Sequence, residues 1–326
     1  MMAGELPVSF ADVAAAADRL RGVASETPLL ESDALNELVE GRLLIKPEPL
    51  QRTGSFKFRG AYNAISTLHP PAVVAYSSGN HAQGVAMAAR LLGLPATIVM
   101  PSDAPRTKLE GTRALGADVI TYDRAAEDRE AIGREVALRT GAVLIRPYDD
   151  PLIVAGQGTV GLELAEQAAK RDAMPDAVLA CCGGGGLVAG CAVALHQRAP
   201  GTAIYAVEPT DFDDTARSLA VGERLANVQG ARSFCDALLA PMPGELTFAL
   251  NSRLLAGGLS VTDAEVASAM RLAFRHLRLV VEPGGAVALA AALAGRIPTR
   301  GRIIGVVVSG GNVDADLFAR ILAAPH

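Results

Sequence analysis

Tryptophan is absent from this chain of 326 residues, and aromatic residues make up only 4% of it. The four cysteines (Cys181, Cys182, Cys191 and Cys235) form no Cys-x-x-Cys pair and lie in apolar stretches, which is typical of reduced core residues. The chain also lacks a run of ~20 apolar residues and the basic and apolar regions of a signal peptide. Its net charge of −5 provides no basic surface for nucleic acid or an anionic membrane. We therefore expect a cytoplasmic protein with no nucleic-acid or membrane partner.

Hydrophobic residues account for 50% of the sequence and glycine for 33 positions, so a large core of closely packed helices and sheets is available. From residue 72 onward, short apolar runs alternate with alanine-rich helical patterns, which predicts an α/β fold with helices on both faces of a parallel sheet. The predicted strands are 42–46, 73–76, 96–100, 118–122, 143–146, 177–182, 203–208 and 303–308. The predicted helices are 9–22, 58–68, 81–92, 106–115, 125–140, 157–171 and 187–198, with others starting after Ser32, Thr262 and Gly285.

Lys57 lies between Phe56 and Phe58, and small residues flank this group. A lysine in an apolar notch loses hydration of its ammonium form, which shifts its amine toward the neutral, nucleophilic state. That state is the one that forms a Schiff base with an aldehyde cofactor. The alternative is a lysine at a helix start with its head group in solvent, following a cap by Thr53 or Ser55.

A run of four glycines followed by a leucine joins a predicted strand to a predicted helix; its members are Gly183, Gly184, Gly185, Gly186 and Leu187. Glycines allow the backbone N–H groups to turn inward, and the helix N-terminus adds partial positive charge, so the loop suits a phosphate. A tight turn without a ligand is one alternative. Another is a nicotinamide-dinucleotide site, because Gly184-x-Gly186-x-x-Ala189 partly matches that fingerprint and Glu208 ends the next strand. A dehydrogenase would leave Lys57 unexplained.

Two further motifs are Ser-Ser-Gly-Asn-His at 77–81 and Ser-Gly-Gly-Asn at 309–312. With the stretch 48–61 and the glycine run, they resemble the fold-type II pyridoxal-phosphate enzymes, in the branch of serine/threonine dehydratases (ammonia-lyases) and serine racemases. The resemblance covers nearly the whole chain, with the motifs in family order and spacing. It implies two α/β domains with parallel-type sheets and the cofactor in the interdomain cleft. The large, cofactor-binding domain would comprise 1–70 and 151–326, the small substrate-side domain 71–150, and the enzyme would be a homodimer.

The resemblance also implies a role for each motif. Lys57 would form the Schiff base and remove the α-proton, and Asn80 would bond the ring hydroxyl of the cofactor. Ser309 would face the pyridine nitrogen, where a neutral hydroxyl leaves that nitrogen largely unprotonated and favours β-elimination. Ser78 would supply the second proton donor that racemisation requires, although serine is also a common turn residue. The remaining cofactor contacts would come from Phe56, Gly183, Gly184, Gly185, Gly186 and Leu187, and the substrate contacts from Ser77, Ser78, Gly79, Asn80 and His81, of which His81 is expected to be structural.

The acidic segment 208–214 matches the cation site of the racemase-like members. The resemblance implies ligation by the Glu208 carboxylate, the main-chain carbonyl of Phe212 and the Asp214 carboxylate. Hard oxygen ligands suit Mg²⁺, or Ca²⁺ or Mn²⁺ in a looser site. The alternative is an acidic, solvated turn.

Two departures from the family pattern concern the substrate. Ala237 stands where many relatives have glycine, and Tyr148 stands where they often have a small polar residue. The chain also ends soon after Ser309, so we expect no C-terminal regulatory domain. The predicted function is pyridoxal-phosphate-dependent dehydration and deamination of L-serine or L-threonine to a 2-oxo acid and ammonia. A serine racemase and a 3-hydroxyaspartate dehydratase are the near alternatives, and a nicotinamide (NAD) dehydrogenase or a cofactor-binding protein without turnover are the distant ones.

Overall fold

A computed structural model describes residues 6–77, 79–104, 106–123 and 126–324. The strands are β1 Arg42–Pro47, β2 Val73–Tyr76, β3 Ala96–Pro101, β4 Asp118–Tyr122, β5 Val143–Leu144, β6 Ala177–Cys181, β7 Ala203–Pro209, β8 Gly257–Val261 and β9 Ile303–Val308. The helices are α1 Phe10–Leu20, α2 Asp33–Val39, α3 Lys57–Leu68, α4 Asn80–Leu92, α5 Arg106–Ala114, α6 Arg129–Thr140, α7 Pro151–Ala169, α8 Gly186–Arg198, α9 Asp214–Val221, α10 Glu245–Leu254, α11 Asp263–Leu272, α12 Pro283–Leu293 and α13 Ala315–Ala323. No helix among these described residues is long and apolar enough to cross a membrane.

The strands form two separate parallel sheets, one of five strands in the order β1-β9-β6-β7-β8 and one of four in the order β4-β3-β2-β5. Every residue of β6 is buried, as expected for a parallel strand that is covered on both faces. The prediction of two α/β domains with parallel sheets is confirmed. The four-stranded sheet uses only strands between residues 71 and 150, and the exact domain boundaries stay a prediction.

The largest part of the core lies between the five-stranded sheet and the helices α7, α8 and α12. Helices α7 and α8 approach each other closely because glycines face the contact. A Cβ at Gly158 would lie 2.8 Å from the Gly190 carbonyl oxygen, and a Cβ at Gly161 would lie 2.8 Å from Cα of Cys191. All four cysteines are buried and free, which confirms the prediction of reduced core thiols.

A buried ionic cluster joins α3 to β1 and α7. The guanidinium of Arg59 pairs with Glu48 at 2.8 Å and with Glu163 at 2.5 Å. Lys46 on β1 also pairs with Glu163, at 2.6 Å. Buried charges are tolerated when they are paired in this way, and removing one partner leaves the others uncompensated. The cluster therefore holds the first turn of α3, where Lys57 lies, against the rest of the protein.

Some predicted bounds were wrong. Helix α7 begins at Pro151, six residues before the predicted start, because Asp150 caps it by accepting from the N–H groups of Leu152 and Ile153. Strand β5 ends at Leu144 and not at Arg146. Helix α6 starts at Arg129, since Asp128 provides its N-cap. Strand β8 and helices α9, α10 and α13 had not been predicted.

Candidate active site

A cavity of about 170 Å³ lies between the two sheets and contains residues from all four sequence motifs. The predicted residues that line it are Phe56, Lys57, Ser77, Gly79, Asn80, His81, Gly183, Gly184, Gly185, Gly186, Leu187 and Ser309. Ser78 lies outside the described residues. Residues more than 250 positions apart in the chain, such as Phe56 and Ser309, thus meet at one place, where the Phe56 N–H donates to the Ser309 carbonyl at 3.1 Å.

Lys57 is the first residue of α3, and its side chain points into the cavity. Its Nζ donates a hydrogen bond to the Pro147 carbonyl at 2.6 Å and lies 5.1 Å from the centre of the Phe56 ring. Burial lowers the pKa of Lys57 from its ordinary value to about 8. The alternative cap is wrong, because the residue before α3 is Phe56 and no side chain caps the helix. The amine is therefore set up as a nucleophile and base near neutral pH.

The glycine run connects β6 to the N-terminus of α8. Gly185 has φ +89°, and a Cβ there would lie 2.8 Å from Nδ2 of Asn251 and 3.0 Å from Oγ1 of Thr247. A Cβ at Gly184 would overlap the ring of Tyr148. Only glycine fits these positions, and the loop exposes backbone N–H groups at a helix start. The cradle therefore fits a phosphate group.

Ser309 is buried at the end of β9, on the opposite side of the site from the glycine run. It forms a hydrogen bond with the thiol of Cys181, a cavity residue whose pKa burial raises to about 11. A neutral hydroxyl and a neutral thiol thus face the cavity here. Neither group would hold a proton on a nearby ring nitrogen, as a carboxylate would.

His81 is buried in α4, and its Nε2 lies 2.9 Å from the Ile145 carbonyl oxygen. Burial lowers its pKa to about 3, so the imidazole is neutral at physiological pH. Ser77 accepts a hydrogen bond from the Gly79 N–H at 3.2 Å, which shapes the loop before α4. These contacts favour a structural role for His81.

Three charged residues of the cavity had not been predicted from the sequence, namely Glu282, Lys108 and Arg129. Glu282 accepts from Nδ2 of Asn80 at 2.5 Å, and burial raises its pKa to about 7 while Asp236, Lys108 and Lys57 face it. Lys108 pairs with Asp236 across the cavity at 2.9 Å. The only sequence signal for Glu282 was its position before a Pro-Gly-Gly helix start, and the other two carried none.

The predicted cation ligands meet where β7 ends and α9 begins. The Glu208 carboxylate accepts from the N–H groups of Thr215 at 3.0 Å and Ala216 at 2.8 Å. Oδ2 of Asp214 is buried and has no hydrogen-bond partner in the described structure. Burial raises the pKa of Glu208 to about 8 and that of Asp214 to about 6.

Two buried acids with an unused oxygen fit a hard cation. The described residues contain no group of three or more His, Cys, Asp or Glu side chains that could hold a metal ion. Main-chain oxygens such as that of Phe212, with water, would therefore have to complete the coordination. Asp214 lies in the first turn of α9, so this segment is not simply an acidic, solvated turn.

Comparison with known proteins agrees with this geometry. The family model described as "Pyridoxal-phosphate dependent enzyme" matches residues 20–310. An L-threo-3-hydroxyaspartate ammonia-lyase from a Pseudomonas species is 43% identical over 318 residues, covering 96% of this chain and 98% of that protein. A serine racemase from Schizosaccharomyces pombe is 37% identical over 319 residues, covering 97% of both.

Solved structures give the same result. A threonine deaminase from the organism abbreviated T.th. has a TM-score of 0.89 at 44% identity, covering 94% of this chain and 99% of that one. Maize serine racemase has a TM-score of 0.90 at 36% identity, covering 96% of both chains. The chain therefore belongs to the pyridoxal-phosphate-dependent enzymes, within the group that contains the ammonia-lyases and serine racemases.

Proposed function

We propose that this enzyme dehydrates and deaminates a β-hydroxy amino acid, L-serine or L-threonine, to a 2-oxo acid and ammonia. The observation that carries the proposal is the amine of Lys57, whose pKa is lowered to about 8, inside a cavity that also contains the glycine run, Asn80 and Ser309. Each of these groups matches a different part of one cofactor. The same argument favours a phosphate of pyridoxal phosphate over a nicotinamide dinucleotide at the glycine run.

When bound, pyridoxal phosphate supplies an aldehyde that captures the substrate amine and a ring that accepts the electron pair released at the α-carbon. The neutral amine of Lys57 removes the α-proton. The backbone N–H groups of 183–187 hold the phosphate, and the loop 77–81 holds the substrate carboxylate at the start of α4. Ser309 places a neutral hydroxyl by the ring nitrogen. Loss of the β-hydroxyl as water, followed by hydrolysis, completes the conversion to a 2-oxo acid and ammonia.

Glu208, Asp214 and the carbonyl of Phe212 would hold a Mg²⁺ ion, or Ca²⁺ or Mn²⁺ in its place. The ion would neutralise two buried carboxylates that otherwise repel each other, as their raised pKa values indicate. Its contribution would be to the stability of the region behind the glycine run, since Thr215 of α9 contacts Cys182 at 3.2 Å. It would not touch the reacting atoms.

A 3-hydroxyaspartate is the second candidate substrate, and Lys108 and Arg129 favour it. Both cations line the cavity, and the side chain of Lys108 is only 13% exposed. Serine and threonine carry no second carboxylate for them to bind. Two relatives at 43% and 39% identity are named L-threo-3-hydroxyaspartate ammonia-lyases.

Racemisation of serine is a side activity that Ser78 favours, since a serine before Gly79-Asn80 can donate a proton to the face opposite Lys57. Chiral analysis of the residual substrate after partial turnover of L-serine tests it. D-serine should form with the native enzyme and not with Ser78→Ala, while elimination continues in both. An absence of D-serine from the native enzyme would restrict the function to elimination.

The main proposal is tested by measuring 2-oxo acid release from L-serine, L-threonine and L-threo-3-hydroxyaspartate. Lys57→Ala is the control, and we expect it to bind the cofactor non-covalently and to release no product. Activity with at least one of the three substrates is required. A failure of the cofactor-loaded native enzyme with all three, or near-normal turnover by Lys57→Ala, would overturn the assignment.

A further inference from the structure

A continuous chain of hydrogen-bonded side chains crosses the site and joins all the loops that form it. Nδ2 of Asn312 donates to two acceptors, the Thr53 carbonyl and Oδ1 of Asn80, each at 2.7 Å. Nδ2 of Asn80 in turn donates to Oε1 of Glu282 at 2.5 Å. The chain therefore runs from the loop before Lys57, through the loop after Ser309 and the start of α4, to the N-cap of α12.

This chain determines which way the amide of Asn80 points. Its carbonyl oxygen faces the donor of Asn312, and its NH₂ group faces the acceptor of Glu282. A rotation of the amide by half a turn would place donor against donor and acceptor against acceptor, which loses both hydrogen bonds. In the described structure, one of the two Nδ2 hydrogens goes to Glu282, so the other is available to a ligand in the cavity.

The backbone around the chain is packed tightly enough that only glycine fits. A Cβ at Gly54, where φ is +72°, would lie 2.5 Å from Oδ1 of Asn312. A Cβ at Gly310 would overlap Oε1 of Glu282, whose own N–H donates to the Gly310 carbonyl at 3.1 Å. Two glycines of the sequence motifs thus make room for these side chains. Asn312 and Glu282 are held in place independently of any ligand.

We propose that Asn312 and Glu282 are positioning residues, which hold Asn80 in the one amide orientation that leaves a donor for the ring oxygen of the cofactor. Both act through Asn80. The inference rests on the role proposed for Asn80 in cofactor binding and not on the choice of substrate.

A double-mutant cycle tests this coupling, with cofactor-free protein titrated with pyridoxal phosphate and its visible absorbance recorded. Asn312→Ala should weaken binding about tenfold and shift the absorbance, since an unfixed amide loses roughly one hydrogen bond. In an Asn80→Ala background the same change should have no further effect. Asn36→Ala is the control, because Asn36 accepts from the Leu43 N–H at 2.8 Å and does not line the cavity. It should lower thermal stability without changing the spectrum.

Glu282 provides a second variant pair if Asn312→Ala does not fold. Glu282→Gln keeps an acceptor for Asn80 and should retain most of the affinity, whereas Glu282→Ala should not. The proposal is overturned if Asn312→Ala and Glu282→Ala lower only the thermal midpoint, or if they weaken binding equally with and without Asn80. An enzyme that released no 2-oxo acid would contradict the proposed function and leave these binding measurements unaffected.

Discussion

Lys57 shows how its surroundings change one side chain. An ordinary lysine, with a pKa near ~10.4, is less than about 1% neutral at pH 8. Loss of hydration lowers the pKa of Lys57 to about 8, so about half of its amine is neutral at that pH. The neutral fraction rises as the pH rises through the lowered pKa and changes little above it. Capture of an aldehyde by this amine should follow that fraction.

We therefore expect the rate at which cofactor-free protein captures pyridoxal phosphate to rise up to about pH 8 and to level off above about pH 9. Stopped-flow absorbance between about pH 6 and about pH 10 measures it. Capture by Nα-acetyl-lysine under the same conditions is the control for titration of the cofactor itself. A rate that still rose about tenfold per pH unit above about pH 9 would show that Lys57 titrates as an ordinary lysine.

Gly185 is a second single position with a sharp expectation. Its φ of +89° and the neighbouring Asn251 and Thr247 leave no room for a side chain. Gly185→Ala should destabilise the protein by about 1–3 kcal/mol through strain alone. Gly185→Asp should in addition lose the cofactor, because its charge would repel a phosphate at the helix start. Thermal unfolding and cofactor titration separate the two effects.

The control for Gly185→Asp is Gly201→Asp, since a Cβ at Gly201 would meet nothing within 4 Å. It should keep both its stability and its cofactor. Equal cofactor affinity in Gly185→Asp and Gly185→Ala would contradict the assignment of the glycine run to the phosphate.

Residues that belong to local patterns were predictable, and residues that act through distant partners were not. Lys57 and the glycine run were found because their neighbours in the sequence explain their chemistry. Asn312 was present in a motif but had no stated role, since its partners Asn80 and Thr53 are 232 and 259 positions away. Glu282 looked like an ordinary helix cap. Contacts of such long separation depend on the packing of both sheets, which periodicity does not contain.

The secondary-structure elements show the same difference. Helix α11 was predicted from its capping box, in which Thr262 and Glu265 satisfy each other's backbone N–H groups. Strand β8 was missed because its sequence, Gly-Gly-Leu-Ser-Val, has little strand propensity. It forms at the edge of the five-stranded sheet by pairing with β7 alone. Tertiary contact therefore decides its conformation.

Helix α9 carries a prediction about the cation. Asp214 in its first turn has a buried, unpartnered Oδ2 next to Glu208, and a bound Mg²⁺ would stabilise the folded state only. Chelation should lower the thermal midpoint, and Mg²⁺ should restore it in proportion to the logarithm of its concentration. At about 100 times its dissociation constant the ion would contribute about 2.7 kcal/mol. Differential scanning calorimetry measures the change.

Asp214→Asn should remove this dependence on Mg²⁺. Asp213→Asn is the matched control, because the neighbouring carboxylate pairs with Arg217 at 2.9 Å and not with the proposed ion. It should stay sensitive to the chelator. A native protein that responds to neither chelator nor Mg²⁺ would contradict the cation site.

The arrangement of the two sheets places the reactive groups on both sides of one cavity. Lys57, the glycine run and Ser309 come from the part that contains the five-stranded sheet, and the loop before α4, with Lys108 and Arg129, comes from the part that contains the four-stranded sheet. The salt bridge between Lys108 and Asp236 spans the two parts at 2.9 Å. Lys108 is nearly enclosed and Asp236 is half-exposed. A substrate with a second carboxylate would thus compete with Asp236 for Lys108.

This competition gives a prediction about specificity. Lys108→Met should raise KM for L-threo-3-hydroxyaspartate about tenfold, the effect of one lost charged hydrogen bond, and change KM for L-serine much less. Asp236→Asn should lower KM for the dicarboxylate, because Lys108 would no longer be paired. Lys170→Met, at the C-cap of helix α7 and away from the cavity, is the control. Equal increases in KM for both substrates would mean that Lys108 holds the two parts together and does not recognise the substrate.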